Sequence, residues 1–234
     1  MLDDVRMERN EMMDKNQQAI ERMKEQKYEE AAELFHSIIE ENPDDPVGYI
    51  NFGNLLMHMN DTERAARFYE RALELDEEAA TAHYGLGNLY YEKSDYQKAQ
   101  KHFRQAVDIG LDEADAYFLL GMTFVHQEQF KLALPYLMRA SELHPDDLEY
   151  LFQYGLTLAQ SEHIEDAKPV FQKVLEMNDK HSDAYYNLGV IALYEEDLSG
   201  ALDHFEKALE IQPEHVLAAN AKKQITDAIN ADDM

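Results

Sequence analysis

"YYNLGVIALYEEDLSGALDHFEKALEIQP", residues 185–213, reads as two helix-length segments around the polar break Glu195-Glu196-Asp197. Tyr185, Leu188 and Gly189 fall at i, i+3 and i+4 on the first segment, the spacing of one helical face. Ala201, Phe205 and Ala208 do the same on the second, and Pro213 closes the unit. The same marks recur upstream at a fixed distance. Glycine stands at Gly53, Gly87, Gly121, Gly155 and Gly189, each 34 residues after the last. Alanine does so at Ala31, Ala65, Ala99, Ala133, Ala167 and Ala201. Four residues on come Phe35, Tyr69, Phe103, Leu137, Phe171 and Phe205. A third register holds Ile38, Ala72, Ala106, Ala140, Val174 and Ala208. Six units therefore start at residues 12, 46, 80, 114, 148 and 182 with no insertion. No strand-like alternation interrupts them, so the chain is all-α.

This pattern, Tyr185-x-x-Leu188-Gly189 followed by Ala201, Phe205, Ala208 and Pro213, resembles the tetratricopeptide repeat family over residues 12–215. The resemblance implies a right-handed α-solenoid of six tandem helix-turn-helix repeats, at 12–45, 46–79, 80–113, 114–147, 148–181 and 182–215. Packing supports it. The small residue at repeat position 8 lets the second helix, B, approach the first, A, while bulky residues such as Tyr117, Leu120 and Phe124 fill the remaining space. One hairpin cannot bury its apolar face alone, so hairpins stack. Lys15, Gln18 and Arg22 make helix A of the first unit a polar cap behind a helical extension at residues 1–11. Ala218, Ala221, Ile225 and Ala228 form the narrow stripe of a capping helix at 216–230, with a tail at 231–234. Pro135 and Pro169, at position 22 of two B helices, predict slight bends.

The 48 acidic against 21 basic residues give a net charge of −27. A field of that sign repels nucleic-acid backbones and anionic membrane surfaces and favours basic partners or solubility. Without cysteine there are neither disulfides nor thiolate metal sites. The charged N-terminus is no signal peptide, and no stretch of about 18 apolar residues spans a membrane. These features lead us to expect a soluble, cytoplasmic protein.

No convergent catalytic set emerges. The ten histidines match no H-E-x-x-H, and phosphate loops and nucleophile elbows are absent. His102 and His204, at position 23 of helix B, are expected on the outer surface. We therefore expect no enzyme activity, no cofactor and no metal.

Position 5 of helix A raises a different question. It reads Ile50, Tyr84, Phe118, Phe152 and Tyr186, a second stripe away from the hairpin core. Asn54, Asn88, Tyr91, Met122, Val125, Leu156, Val190 and Tyr194 share that side. By resemblance, helix A lines the concave face, and these positions contact ligands. An apolar strip of this extent calls for a cover, such as an amphipathic helix or an extended peptide. Asp115, Glu149 and Asp183 at position 2 make its rim acidic. The basic residues by which some family members capture a peptide carboxylate have no counterpart at Asn16, Ile20, Asn51, Thr81 and Gly85. The expected function is a protein-interaction scaffold for an apolar, net-basic segment of a partner protein. The alternatives are a homo-oligomer, or a peptide-sensing regulator lacking an output domain.

Overall fold

The computed structural model describes residues 15–232, so the expected extension at 1–11 lies outside the described residues. The described elements are all helices. Contacts divide the chain into two compact units, one ending at Asp112 and one starting at Glu113.

The first unit contains α1 (15–24), α2 (Tyr28–Glu41), α3 (Pro46–His58), α4 (Thr62–Leu75), α5 (Ala80–Glu92) and α6 (Tyr96–Ile109). Odd-numbered helices are the A helices and even-numbered ones the B helices. Asp45, Asp61 and Asp95 start α3, α4 and α6 by accepting backbone N–H groups, which satisfies donors that a helix start leaves open. The core alternates small and large. A Cβ on Gly53 would lie 2.7 Å from the Tyr69 ring, and one on Gly87 only 2.5 Å from Phe103. The position-8 glycines are thus where the two helices of a hairpin touch. At the start of the unit Ala19 is fully buried, and the polar residues around it face outward, with Lys15 paired to Glu41.

The second unit contains α7 (Ala114–Val125), α8 (Phe130–Leu143), α9 (Leu148–Gln160), α10 (Ile164–Met177), α11 (Ser182–Tyr194), α12 (Leu198–Ile211) and α13 (Val216–Asp232). Ala133, Leu137 and Ala140 of α8 are fully buried against α7, and a Cβ on Gly121 would meet Leu137 at 2.8 Å. Pro135 and Pro169 lie on exposed faces of α8 and α10, which continue through them. Ala218 and Ile225 seat α13 on a cluster with Ala192, Phe205 and Ala208.

Each A–B turn shares one backbone feature. Gln26, Asn60, Ser94, Glu128, Glu162 and Glu196 occupy position 15 of the six repeats, and all six have positive φ, between 56° and 70°. The left-handed conformation reverses the chain in three residues, and here every residue adopting it carries a side chain.

Candidate functional site

Each A helix buries position 8 against its own B helix, and positions 5, 9 and 12 lie at the margin of that contact, partly packed on the B helix and partly open, as with Phe152 on Phe171 and Tyr186 on Phe205. The charge on this layer is one-sided. Helices α3, α5, α7, α9 and α11 contain no lysine or arginine, and their carboxylates are Glu92, Asp115, Glu149 and Asp183. Helices α4, α6, α8, α10 and α12 carry one to three cations each. Lys93 and Lys180 sit in connecting turns.

In the first unit Tyr84 and Tyr91 are half-buried against Phe103, with ring centroids 5.8 and 6.4 Å away. Burial also raises the Tyr91 phenol above its usual range. Asn54 is exposed, but its amide oxygen already accepts the Tyr69 hydroxyl at 2.7 Å. Asn88 is half-buried. Ile50 differs from the expectation: only 7% exposed, it belongs to the core cluster with Leu56, Ala82 and Leu86. Small side chains at Ala79 and Ala82 let the chain close over it, so the open part of this stripe begins at Tyr84.

The second unit presents the stripe more completely. Phe118, Met122, Val125, Phe152, Leu156 and Tyr186 are half-buried, Val190 is 40% exposed, and Tyr194 is 74% exposed. Each position-5 ring here is braced by a ring from the start of the next A helix. Phe118 stacks on Tyr150 (4.6 Å between centroids), Phe152 lies against His181 (4.5 Å), and Tyr186 against His215 (5.2 Å). Two braces also hold a rim carboxylate. The Tyr150 hydroxyl donates to Asp115. The backbone N–H of Ala218 donates to Nδ1 of buried His215, which leaves the proton on Nε2 to bond Asp183 at 3.1 Å. Tyr150 thus links Asp115 to Phe118, and His215 links Asp183 to Tyr186. Glu149, between them and one methylene longer, instead accepts the Gln153 amide at 2.8 Å.

The position-23 histidines are not on the outer surface. His102 is half-buried in its hairpin, stacked on Tyr90 at 5.5 Å with its Nδ1 3.1 Å from that of His83. Burial pushes its pKa down to about 4, and the neighbouring imidazole adds to the shift. His204 is likewise half-buried beside Tyr185. Phe68 packs beside Tyr49 and Tyr136 stacks on Phe124 from the same position, so position 23 is an aromatic packing position. Among the described residues no group of three or more His, Cys, Asp or Glu is placed to hold a metal ion, and no helix is long and apolar enough to cross a membrane.

Stacked two-helix repeats whose A helices from α3 to α11 are cation-free and largely apolar define an α-solenoid whose exposed chemistry is that of a recognition surface. Sequence profiles described as Tetratricopeptide repeat match residues 22–71, 50–110, 86–147, 148–181 and 182–215. The chain belongs to the tetratricopeptide repeat family, a family of protein–protein interaction scaffolds. The TPR repeat-containing protein YrrB of Bacillus subtilis (strain 168) is 54% identical over 41 residues, 18% of this chain and 20% of that relative. A solved structure of YrrB, described as a TPR protein with an unusual peptide-binding site, matches at TM-score 0.80 and 47% identity. The match covers 82% of this chain and 99% of that one. Pseudomonas aeruginosa PilF (TM-score 0.73, 15% identity, 92% of this chain and 99% of that one) shares the fold. So does MamA from Desulfovibrio magneticus RS-1 (TM-score 0.64, 22% identity, 73% and 96%).

Proposed function

We propose that the chain is a non-catalytic scaffold whose A-helix face binds an apolar, net-basic segment of a partner protein. One observation carries the reading: from α3 to α11 every A helix lacks a cation while every facing B helix has one or more. Solubility alone requires no such sorting of charge between layers. The half-exposed rings at 118, 152 and 186 supply anchors of the kind that dominate interface energetics. The peptide-binding site described for YrrB makes a peptide ligand the natural counterpart for this face.

The test compares labelled apolar peptides that differ in charge, using fluorescence anisotropy. The Lys-containing peptide should bind, with affinity falling as salt rises, and its Glu-containing counterpart should not. Phe118→Ser with Phe152→Ser should abolish binding and leave the helical signal in place. Phe124→Ser, at a core ring 2% exposed, should unfold the hairpin first. Light scattering across concentration separates this function from self-association. The reading fails if the double variant unfolds as readily as Phe124→Ser, or if it retains the peptide at undiminished affinity.

A further inference from the structure

Resting on that reading, we infer that the second unit takes an amphipathic α-helix carrying Lys or Arg along one edge of its apolar stripe and not the other. The width of the face selects the helix. From position 5 to position 12 of an A helix is a rise of about 10.5 Å, close to the roughly 10–12 Å diameter of a helix with its side chains. A single extended strand, about 4.8 Å wide in the plane of a sheet, covers half of that.

The charge selects the edge. All three carboxylates stand at position 2, at the N-terminal border of the strip: Asp115, Glu149 and Asp183. The opposite border, at positions 12 and 13, is Val125, His126, Ala159, Gln160, Leu193 and Tyr194; its nearest carboxylates, Glu128, Glu162, Glu195 and Glu196, lie past the helix ends, and Glu195 is already paired to Lys168. The two outer carboxylates are fixed before any partner arrives, Asp115 by the Tyr150 hydroxyl and Asp183 by His215 Nε2. Each also has an aromatic ring three residues on, Phe118 or Tyr186, one turn along the same helical face. A held carboxylate beside a ring suits an ammonium or guanidinium group, which gains from both.

The spacing completes the match. Packed helices lie about 8–10 Å apart, and seven residues of a bound helix rise about 10.5 Å while turning within about 20° of a whole number of turns. Basic residues one heptad apart along the partner's edge therefore meet Asp115, Glu149 and Asp183 in succession.

Three labelled peptides of about 20 residues and identical composition test this on the full chain. One carries lysines at heptad spacing along one edge of its apolar stripe. A second carries them opposite the stripe, and a third is the first with two residues of its middle exchanged for prolines from its ends. The first should bind at least about tenfold more tightly than either of the others, and Glu149→Gln should narrow its lead over the second. Equal affinity of the first two peptides, with both lost in the Phe118→Ser, Phe152→Ser double variant, overturns the one-edge assignment and leaves the apolar face standing. Equal or tighter binding of the proline peptide overturns the helical occupant. Failure of all three to bind overturns this inference and the reading beneath it together.

Discussion

Tyr150 donates its hydroxyl to the Asp115 carboxylate, joining the first turn of α9 to the first turn of α7 across a repeat boundary. Tyr150 stands at position 3, where the other described A helices from α3 onward have Gly48, Ala82, Ala116 and Ala184. Tyr150→Phe keeps the ring stacked on Phe118 and deletes only the donor. We expect it to lower the urea midpoint by an amount equivalent to about 1 kcal/mol, with the slope of the transition unchanged. An unmoved midpoint would mean that the bond does not tie the repeats.

Gly121→Leu places a side chain where even a Cβ lies 2.8 Å from Leu137, whose own backbone N is 3.4 Å away. The leucine has little room to withdraw, so overpacking should cost about 1–3 kcal/mol in thermal melts. A melt indistinguishable from the parent's would show that the repeat register assigned to α7 and α8 is wrong.

Thr157 is fully buried, and among the described residues its hydroxyl has no hydrogen-bond partner. Other repeats place Leu55, Leu89 and Ile191 at this position, and Thr123, which also stands there, donates its hydroxyl to the Leu120 carbonyl at 2.6 Å. Thr157→Val preserves the branched shape and removes the unsatisfied oxygen, and should stabilise the chain by about 1 kcal/mol. Loss of stability instead would reveal a buried water or backbone acceptor serving that hydroxyl.

His102 makes folding sensitive to acid. Its folded pKa of about 4 lies below the ordinary 6.5, so between those values the unfolded chain binds a proton that the folded chain resists. Its effect is absent above pH 6.5, and stability is lost progressively as pH falls from there toward 4. His83, also lowered by burial, acts in the same direction. His102→Phe, matching Phe68 at the same position, should flatten the dependence of melting temperature on pH across this window. The same pH slope in both proteins would assign the acid sensitivity to other groups.

The fold was legible because the tight hairpin crossings tolerate only small side chains. That restriction writes Gly53, Gly87, Gly121, Gly155 and Gly189 into the sequence at a constant interval. Depth on the second stripe was not legible. Ile50 and Tyr84 occupy the same column, and whether a residue is covered depends on its neighbours at 79 and 82, which the column does not contain. His102 was placed by its column, position 23, but that column was taken as outward-facing although Phe68 and Tyr136 stand in it too. The ring braces escaped a fixed-period reading because they change position. The ring comes from position 3 at Tyr150 but from position 34 of the preceding repeat at His181 and His215, one helical turn earlier. Both places reach the position-5 ring of the preceding A helix while appearing unrelated in an alignment of repeats.

The six side-chain-bearing residues held at positive φ have a consequence for how this protein can change. A left-handed residue other than glycine costs about 1–2 kcal/mol, offset in part by the larger entropy that glycine loses on folding. Glu128, Glu162 and Glu196 hold that conformation in the connections that follow α7, α9 and α11, after the strip at positions 2 to 12 has ended. Rigidity can therefore be adjusted one hairpin at a time, by exchanging a glutamate for glycine, without altering a side chain of the A-helix face. In a chain built this way, the stiffness of a hairpin and the chemistry of its A-helix face can change independently.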